Sequence, residues 1–148
     1  MTKELKISAI KEGTAIDHII PENVFKIADL LKLKNHKDVV TVATNLTSKK
    51  MGKKGIIKVG GRGLTEEEVN KIALLAPDAT VSTIKDFEVV KKIRLKLPEE
   101  VYNILQCYNL GCITNKERIP TKFEVVNKSP LKIRCIYCQR IQEEIKVK

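Results

Sequence analysis

Four cysteines in two close pairs are the residues of this sequence whose type and spacing most clearly carry chemistry. The pattern is Cys107-x4-Cys112, an interval of 22 residues, then Cys135-x2-Cys138. Two such pairs on two loops bring four thiolates to one tetrahedral centre, which is the ligand set of structural zinc sites. Two disulfides or four free buried thiols are the alternatives, and disulfides are disfavoured in a cytoplasmic protein. The sequence therefore predicts one zinc ion per chain.

Catalysis is not expected from the residues of this chain. Four cysteine ligands leave no open position on the metal for water or substrate. Only His18 and His36 could exchange protons near neutral pH, and neither belongs to a recognisable catalytic set. Asp17-His18 lies between a predicted strand and a predicted helix, where it either contacts a ligand or forms hydrogen bonds within a turn. The residues alone leave both roles of Asp17-His18 open. Because no catalytic set is recognisable, we expect that this chain is not an enzyme.

Glycines and lysines of the first hundred residues are candidates for binding an anion. Gly60-Gly61-Arg62-Gly63 matches neither phosphate-loop pattern, so a flexible connection is the simpler interpretation. Lys49-Lys50 and Lys53-Lys54 could form an electrostatic cradle, but a solvated hairpin tip explains most of these charges. Lys58 and Lys92 differ, because each lies in a predicted strand whose pleat fixes the direction of its side chain. Both ammonium groups could then face one phosphate site.

Hydrophobic periodicity predicts the elements that position these residues. Alternation at Leu5, Ile7 and Ala9 predicts a first strand, which Gly13 then ends. Thr65 and Glu68 form a capping box at the start of a helix. The remaining patterns predict a helix at 21–33, strands at 39–44 and 56–59, a helix at 65–76, and strands at 79–85 and 87–97.

The order of these elements predicts an α+β fold with two domains. A β-α-β-β-α-β order with one added strand is ferredoxin-like, with two helices on one face of an antiparallel sheet, over residues 1–97. Residues 98–148 are expected to form a small all-β four-cysteine zinc domain, with a helical turn or two in 99–106. In the strand at 87–97, alternation places Val89 and Ile93 on one face and Lys92 on the other.

Composition narrows the class of ligand. The formal charge of +10 favours nucleotides, RNA or an acidic protein. No Trp, three Tyr and three Phe provide little stacking surface for single-stranded nucleic acid. A zinc-ribbon RNA-binding protein is therefore the alternative to a nucleotide-binding one. The apolar runs are too short to span a membrane, and the first residues lack a secretory signal, so we expect a cytoplasmic protein without membrane association.

Ordered segments along nearly the whole chain resemble one family, the aspartate carbamoyltransferase regulatory chains. The segments are 8–19, 45–46, 51–54, 76–81, 87–90 and 97–99, followed by the two cysteine pairs. The resemblance implies a non-catalytic allosteric subunit that binds ATP, CTP and UTP and so controls de novo pyrimidine biosynthesis. It further implies a regulatory dimer formed through the N-terminal domain, and a zinc domain that docks on trimers of the catalytic chain.

The resemblance also implies a nucleotide site. Its residues are Ile7, Ala9, Ile10, Asp17, His18, Lys58, Ser82, Ile84, Phe87, Val89 and Lys92. The first three are similar to a base-contacting edge and Asp17 to a ribose-binding acid. The positions of His18, Lys58 and Lys92 are similar to phosphate and ribose contacts, and those of Ile84 and Val89 to contacts around the base and sugar. Lys54 resembles a further basic residue near the site.

Some positions depart from well-known members of that family. Ser8 replaces an acidic residue, Ser82 replaces Asn and Phe87 replaces Tyr. Loss of the amide and the phenol hydroxyl removes hydrogen-bond options, so discrimination among the nucleotides is expected to change. Around the cysteines, the family places residues that face the catalytic chain. These positions are Asn109, Glu117 and Tyr137, and Gly111 departs from an Asn.

Overall fold

The computed structural model describes residues 9–128 and 130–147, and its internal contacts divide the chain into two compact units. The N-terminal unit is 1–96 and the C-terminal unit is 97–148. The N-terminal unit contains β1 (Gly13–Ile19), α1 (Val24–Leu30), β2 (Val40–Ser48), β3 (Gly52–Gly60), α2 (Glu66–Leu75), β4 (Thr80–Lys85) and β5 (Glu88–Arg94).

The five strands form one sheet in the order β2-β3-β1-β4-β5, and all neighbouring strands are antiparallel. Four of these strands with two helices make the ferredoxin-like arrangement, and β5 is the added edge strand. The predicted α+β fold class is confirmed.

Both helices cover the same face of this sheet. Ile16 lies directly opposite Ile57 on one neighbouring strand and Val81 on the other, so these three side chains share a face. All three belong to the main apolar cluster, which also contains Ile27 of α1 and Ile72 of α2. Residues of the alternate register, such as Ala15, therefore point to the face that the helices do not cover.

The first strand lies further along the chain than the alternation predicted. The strand is Gly13–Ile19, Ala9 lies outside it and is exposed, and Leu5 and Ile7 lie outside the described residues. Gly13 begins the strand rather than ending the preceding one. Glycine is required there for two reasons. Its φ is 141°, and a Cβ atom at this position would lie only 2.0 Å from the carbonyl oxygen of Val59.

We predicted a flexible connection at Gly60–Gly63, but hydrogen bonds and an ion pair hold this segment in place. Gly61 donates its N–H to the carbonyl oxygen of Glu12, and Thr14 donates its hydroxyl to the carbonyl oxygen of Arg62 at 2.6 Å. The guanidinium of Arg62 bonds the carbonyl oxygen of Leu31 and forms an ion pair with Glu68. These contacts tie the segment to β1 and to both helices, and no phosphate pattern is needed to explain its glycines.

The capping box that the sequence predicted at α2 is present. The Glu68 N–H donates to the Thr65 hydroxyl at 3.2 Å, and the Thr65 N–H donates to the Glu68 carboxylate at 2.9 Å. Two of the N–H groups that the first turn leaves unpaired are thereby satisfied.

Replacement of Thr65 by Ala is expected to lower the free energy of unfolding of the N-terminal unit by about 1 kcal/mol, because one of these bonds is lost. Urea unfolding of the full chain, followed through the amide NMR signals of α2, measures the change. Thr65→Ser is the control and should remain close to wild type. Equal stability of the Ala variant would contradict the capping role.

The C-terminal unit is a small antiparallel sheet with one short helix. It contains β6 (Glu100–Tyr102), α3 (Ile113–Lys116), β7 (Lys122–Lys128), β8 (Leu131–Cys135) and β9 (Ile141–Gln142), in the sheet order β6-β7-β8-β9. The helical turn predicted in 99–106 is wrong, because Val101 is buried between exposed neighbours on strand β6. The other large side chains that are fully buried in the C-terminal unit are Leu105, Phe123 and Ile133. Together with Val101 they form a small core for about fifty residues.

No helix among the described residues is long and apolar enough to cross a membrane.

Candidate metal centre and ligand-binding face

The four cysteine sulfurs converge on one point in the C-terminal unit. The Sγ atoms of Cys107 and Cys138 are 3.7 Å apart, those of Cys112 and Cys135 are also 3.7 Å apart, and all four lie within 4.8 Å of one another. A tetrahedron with metal–sulfur bonds of about 2.3 Å has edges of about 3.8 Å. A disulfide bond would need about 2.05 Å. The arrangement therefore fits a tetrahedral metal ion and not two disulfides.

Two tight turns hold the cysteine pairs in place. The Asn115 amide donates to the carbonyl oxygens of both Cys107 and Asn109 at 2.8 Å, which closes the first loop. In the second turn, the Gln139 N–H donates to the Cys135 carbonyl oxygen at 2.8 Å, and Gln139 has a φ of 66°. The role of Asn115 was not predicted, because a side chain that bonds backbone leaves no spacing pattern in the sequence.

The electrostatics of the cluster favour a cation. Burial raises the pKa of the Cys107 thiol to about 12 and also raises the pKa of Cys135. Burial acts in the same direction on Cys138, but hydrogen bonds from the Arg140 N–H and the Asn109 side chain lower its pKa to about 7. Adjacent thiols resist ionising together because thiolates repel each other, and a metal ion removes this penalty by replacing their protons.

A row of residues crosses the uncovered face of the N-terminal sheet. Lys58 on β3 lies opposite Ala15 on β1, which lies opposite Ser82 on β4, and Ser82 lies opposite Lys92 on β5. Directly opposed residues point to the same face, so the side chains of this row all leave the sheet on the side without helices. The register thus places on one face Lys58, Ser82 and Lys92, which the sequence analysis assigned to one candidate site.

An apolar patch adjoins this row at the Gly13 end. Ile10, Ala15 and Ile84 form a buried cluster of their own, apart from the main core. Val89 lies opposite Ile84 because β5 has an extra residue at this point, where the register shifts. The predicted alternation, which placed Val89 with Ile93 and away from Lys92, is therefore wrong. The bulge moves Val89 to the same face as Lys92.

Asp17 and His18 lie at a second bulge, where β1 has one more residue than β3 between Ile16 and Ile19. His18 has a φ of 59°, and its Nδ1 lies 3.3 Å from the hydroxyl of Thr80, the residue opposite Asp17 on β4. A bulge redirects side chains, and here it brings two consecutive polar residues to the same edge of the uncovered face.

Asp17 is held ionised by its neighbours. Burial of the carboxyl raises its pKa, but hydrogen bonds from Lys54 and from the His18 N–H overcome this and lower the pKa below 3.8. The Lys54 ammonium lies 2.9 Å from one carboxylate oxygen and 3.1 Å from the other. Because the folded-state pKa is lowered, the ionised carboxyl stabilises the fold above pH about 3.8, and this contribution is lost as the pH falls through the folded-state pKa.

Replacement of Lys54 by Met is expected to raise the pKa of Asp17, because the effect of burial is then opposed less. NMR titration of the Asp17 carboxyl carbon measures this change directly. Lys53→Met removes the same charge from the neighbouring exposed residue and should leave the Asp17 pKa nearly unchanged. Equal shifts in the two variants would show that general charge, and not the contact, sets the pKa.

The remaining predicted site residues occupy different positions. Ile7 lies outside the described residues, and Ala9 is exposed just before the Ile10 patch. Phe87 lies in the turn between β4 and β5 with a φ of 65° and a side chain that is 64% exposed. Its N–H donates to the carbonyl oxygen of Lys11 at 2.9 Å, which fastens this turn to the segment that carries Ile10.

Comparison with known proteins gives one consistent family for both units. Residues 5–96 match the model of the aspartate carbamoyltransferase regulatory chain, allosteric domain, and residues 99–148 match that of its metal binding domain. A regulatory chain from Pyrococcus abyssi is 52% identical over 143 residues, covering 95% of this chain and 94% of the relative.

Other relatives carry the same name. The regulatory chain of Pyrococcus horikoshii is 53% identical over 144 residues, covering 95% of this chain and 94% of the relative. That of Parabacteroides distasonis is 43% identical over 138 residues, covering 93% of this chain and 90% of the relative. The chain therefore belongs to the family of aspartate carbamoyltransferase regulatory chains, as its motifs predicted, and is a regulatory and not a catalytic subunit.

Proposed function

We propose that the N-terminal unit binds nucleoside triphosphates on its uncovered sheet face, and that this binding regulates aspartate carbamoyltransferase and thus de novo pyrimidine biosynthesis. The observation that carries the proposal is the row in which Lys58, Ala15, Ser82 and Lys92 are directly opposed. It combines cationic, small and hydroxyl side chains on one surface, beside an apolar patch and an ionised carboxyl.

Each part of this face suits a different part of a nucleotide. Lys58 and Lys92 are three strand spacings apart, about 14 Å at the backbone, so their flexible side chains reach toward a polyphosphate from two sides. The Asp17 carboxylate accepts hydrogen bonds from ribose hydroxyls. Val89, which is exposed beside the buried cluster of Ile10 and Ile84, offers apolar contact to the base. In this proposal Ala9, His18 and Phe87 complete the site.

The proposed effectors are ATP, CTP and UTP. A nucleotide shifts the enzyme between its states only to the extent that it binds them with different affinity, and the coupling is reciprocal. Ser82 offers a hydroxyl at the centre of the row, and Phe87 offers an aromatic ring without a hydrogen-bonding group. Discrimination among the three bases is therefore expected to rely on backbone groups that contact the base.

We propose zinc as the metal of the C-terminal unit, held by Cys107, Cys112, Cys135 and Cys138. Four thiolates in tetrahedral array are the preferred ligands of zinc, although iron also accepts them. When bound, the ion supplies four bonds that join the two turns into one structure. The protein provides the turns themselves, through Asn115 and the N–H groups around Cys135 and Cys138.

We also propose that the C-terminal unit docks on catalytic chains, assembled as trimers, and that the N-terminal unit forms the regulatory dimer. Large apolar side chains are exposed around the cysteine turns, and Leu110 is 82% exposed. The others are Tyr108, Ile113, Tyr137 and Ile141. Such clusters mark surfaces that a partner covers. Glu117 and Tyr137 are exposed, as docking requires, and the Asn109 amide is instead turned toward Cys138 and Gly111. We also propose that this regulatory chain is located in the cytoplasm.

Calorimetric titration of ATP, CTP and UTP into the metal-loaded full chain tests the nucleotide site. We expect saturable, mutually competitive binding that Asp17→Ala weakens. Asp29→Ala is the matched control, since it removes an exposed carboxylate from α1, which covers the other face of the sheet. A short single-stranded RNA tests the alternative. Tight, strongly salt-dependent RNA binding without nucleotide competition would favour the RNA-binding function instead.

A further inference from the structure

A buried hydroxyl contacts one of the four cysteine sulfurs. The Thr114 hydroxyl donates a hydrogen bond to the Cys112 Sγ at 3.2 Å, and both residues are buried. Thr114 lies in α3, whose N-terminal cap is Cys112, so the helical turn itself carries the hydroxyl back toward the sulfur two residues earlier. The first turn of this short helix therefore places the hydroxyl beside the sulfur.

A donor at this position acts on the charge of the metal centre. Four thiolates around a divalent ion carry a net charge of about −2, and burial away from water makes that charge costly. Hydrogen bonds to an ionised acceptor are roughly twice as strong as those between neutral groups. A hydroxyl that donates to a thiolate spreads part of its charge and holds the sulfur in the direction that metal binding needs.

The sulfurs of Cys107 and Cys135 have backbone donors, whereas Cys138 accepts from both the Arg140 N–H and the Asn109 side chain. The Asn109 N–H donates to Cys107, and the N–H groups of Tyr137 and Cys138 donate to Cys135. A side-chain substitution does not remove these backbone donors. Thr114 supplies its donor from a side chain, so its contribution is accessible to mutation.

We propose that Thr114 is a positioning residue of the metal centre, and that its hydroxyl holds the Cys112 thiolate and slows loss of the metal. The family match names a metal binding domain but assigns no role to this residue. The proposal depends on the metal centre alone, so nucleotide binding to the N-terminal unit is expected to be the same in all variants below.

Three variants of the full chain separate this role from general stability. Thr114→Val removes the hydroxyl and keeps nearly the same volume, whereas Thr114→Ser keeps the hydroxyl and removes a methyl group. Thr121→Val is the matched control, because the Thr121 hydroxyl is also buried in the C-terminal unit but donates to the Leu105 carbonyl oxygen at 2.5 Å. It removes a buried hydrogen bond without touching a sulfur.

Two measurements report on the metal centre of these variants. The first is the rate at which zinc passes from the loaded chain to an excess of a chromogenic chelator. We expect Thr114→Val to release zinc about tenfold faster than wild type, and Thr114→Ser and Thr121→Val to release it at nearly the wild-type rate. The second is the sulfur-to-metal charge-transfer band of the cobalt-substituted chain. Loss of the hydrogen bond raises the energy of the thiolate electrons, so this band should move to longer wavelength in Thr114→Val alone.

The proposal is overturned if Thr114→Val releases zinc at the wild-type rate with an unchanged cobalt band, or if Thr121→Val accelerates release equally. Should Thr114→Val not fold, Thr114→Ala is compared with Thr114→Ser in the same two measurements. Rescue by Ser supports a role of the hydroxyl, and equal behaviour of Ala and Ser shows that Thr114 acts only through its volume.

Discussion

Removal of the metal is expected to unfold residues 97–148 while residues 1–96 stay folded. The C-terminal unit has few large buried apolar side chains, namely Val101, Leu105, Phe123 and Ile133. Structural zinc contributes about 10–16 kcal/mol of apparent binding free energy in small zinc domains, more than such a core supplies. The N-terminal unit has its own cluster of some fifteen buried residues, which contains no metal ligand. Amide NMR spectra of the full chain before and after chelation would show which unit loses its dispersed signals.

Cys112→Ser provides the same test without a chelator. It should abolish the signals of β6 to β8 even in excess zinc, whereas Tyr108→Ser, an exposed substitution in the same turn, should retain them. A C-terminal unit that keeps its sheet after metal removal would show that its apolar core suffices. Simultaneous loss of both units would show instead that the N-terminal unit depends on the metal.

Local geometry explains why the convergence of the four cysteines was predictable from the sequence. Two pairs separated by four and two residues place each pair of sulfurs on a single turn, so spacing alone nearly determines the site. The order of strands and helices likewise followed from periodicity, and the Thr65 capping box marked the start of α2 correctly. These features depend on residues that are close together in the chain.

Features that depend on neighbouring strands were not predictable in this way. Alternation favoured a strand before Gly13, but the close approach of the Val59 carbonyl makes this glycine the start of β1. The bulges at His18 and opposite Ile84 arise from strand register, and each moves a side chain of the candidate site to a new face. The hydrogen bonds of Asn115 and Thr114 likewise exist only after the cysteine turns have formed.

Replacement of Lys92 by Ala is expected to weaken nucleotide binding by about 10- to 100-fold. A charge-assisted hydrogen bond contributes about 1.5–3 kcal/mol, and each 1.4 kcal/mol changes affinity about tenfold. The chain contains a closely matched control in the adjacent residue. Lys91 carries the same charge as Lys92 and lies on the same strand. It lies opposite Thr83, one residue from the Ser82–Lys92 pair, so its side chain points to the other face of the sheet.

The comparison of Lys92→Ala with Lys91→Ala separates a directed contact from the general attraction of a basic protein for an anion. With a net charge of +10, either substitution lowers the long-range attraction by the same small amount, and added salt screens that part. A directed phosphate contact leaves a large difference between the variants in calorimetric titrations with CTP at moderate salt. Equal weakening by the two variants would mean that the row across the uncovered face does not bind the phosphates, and the proposed nucleotide site would have to be abandoned.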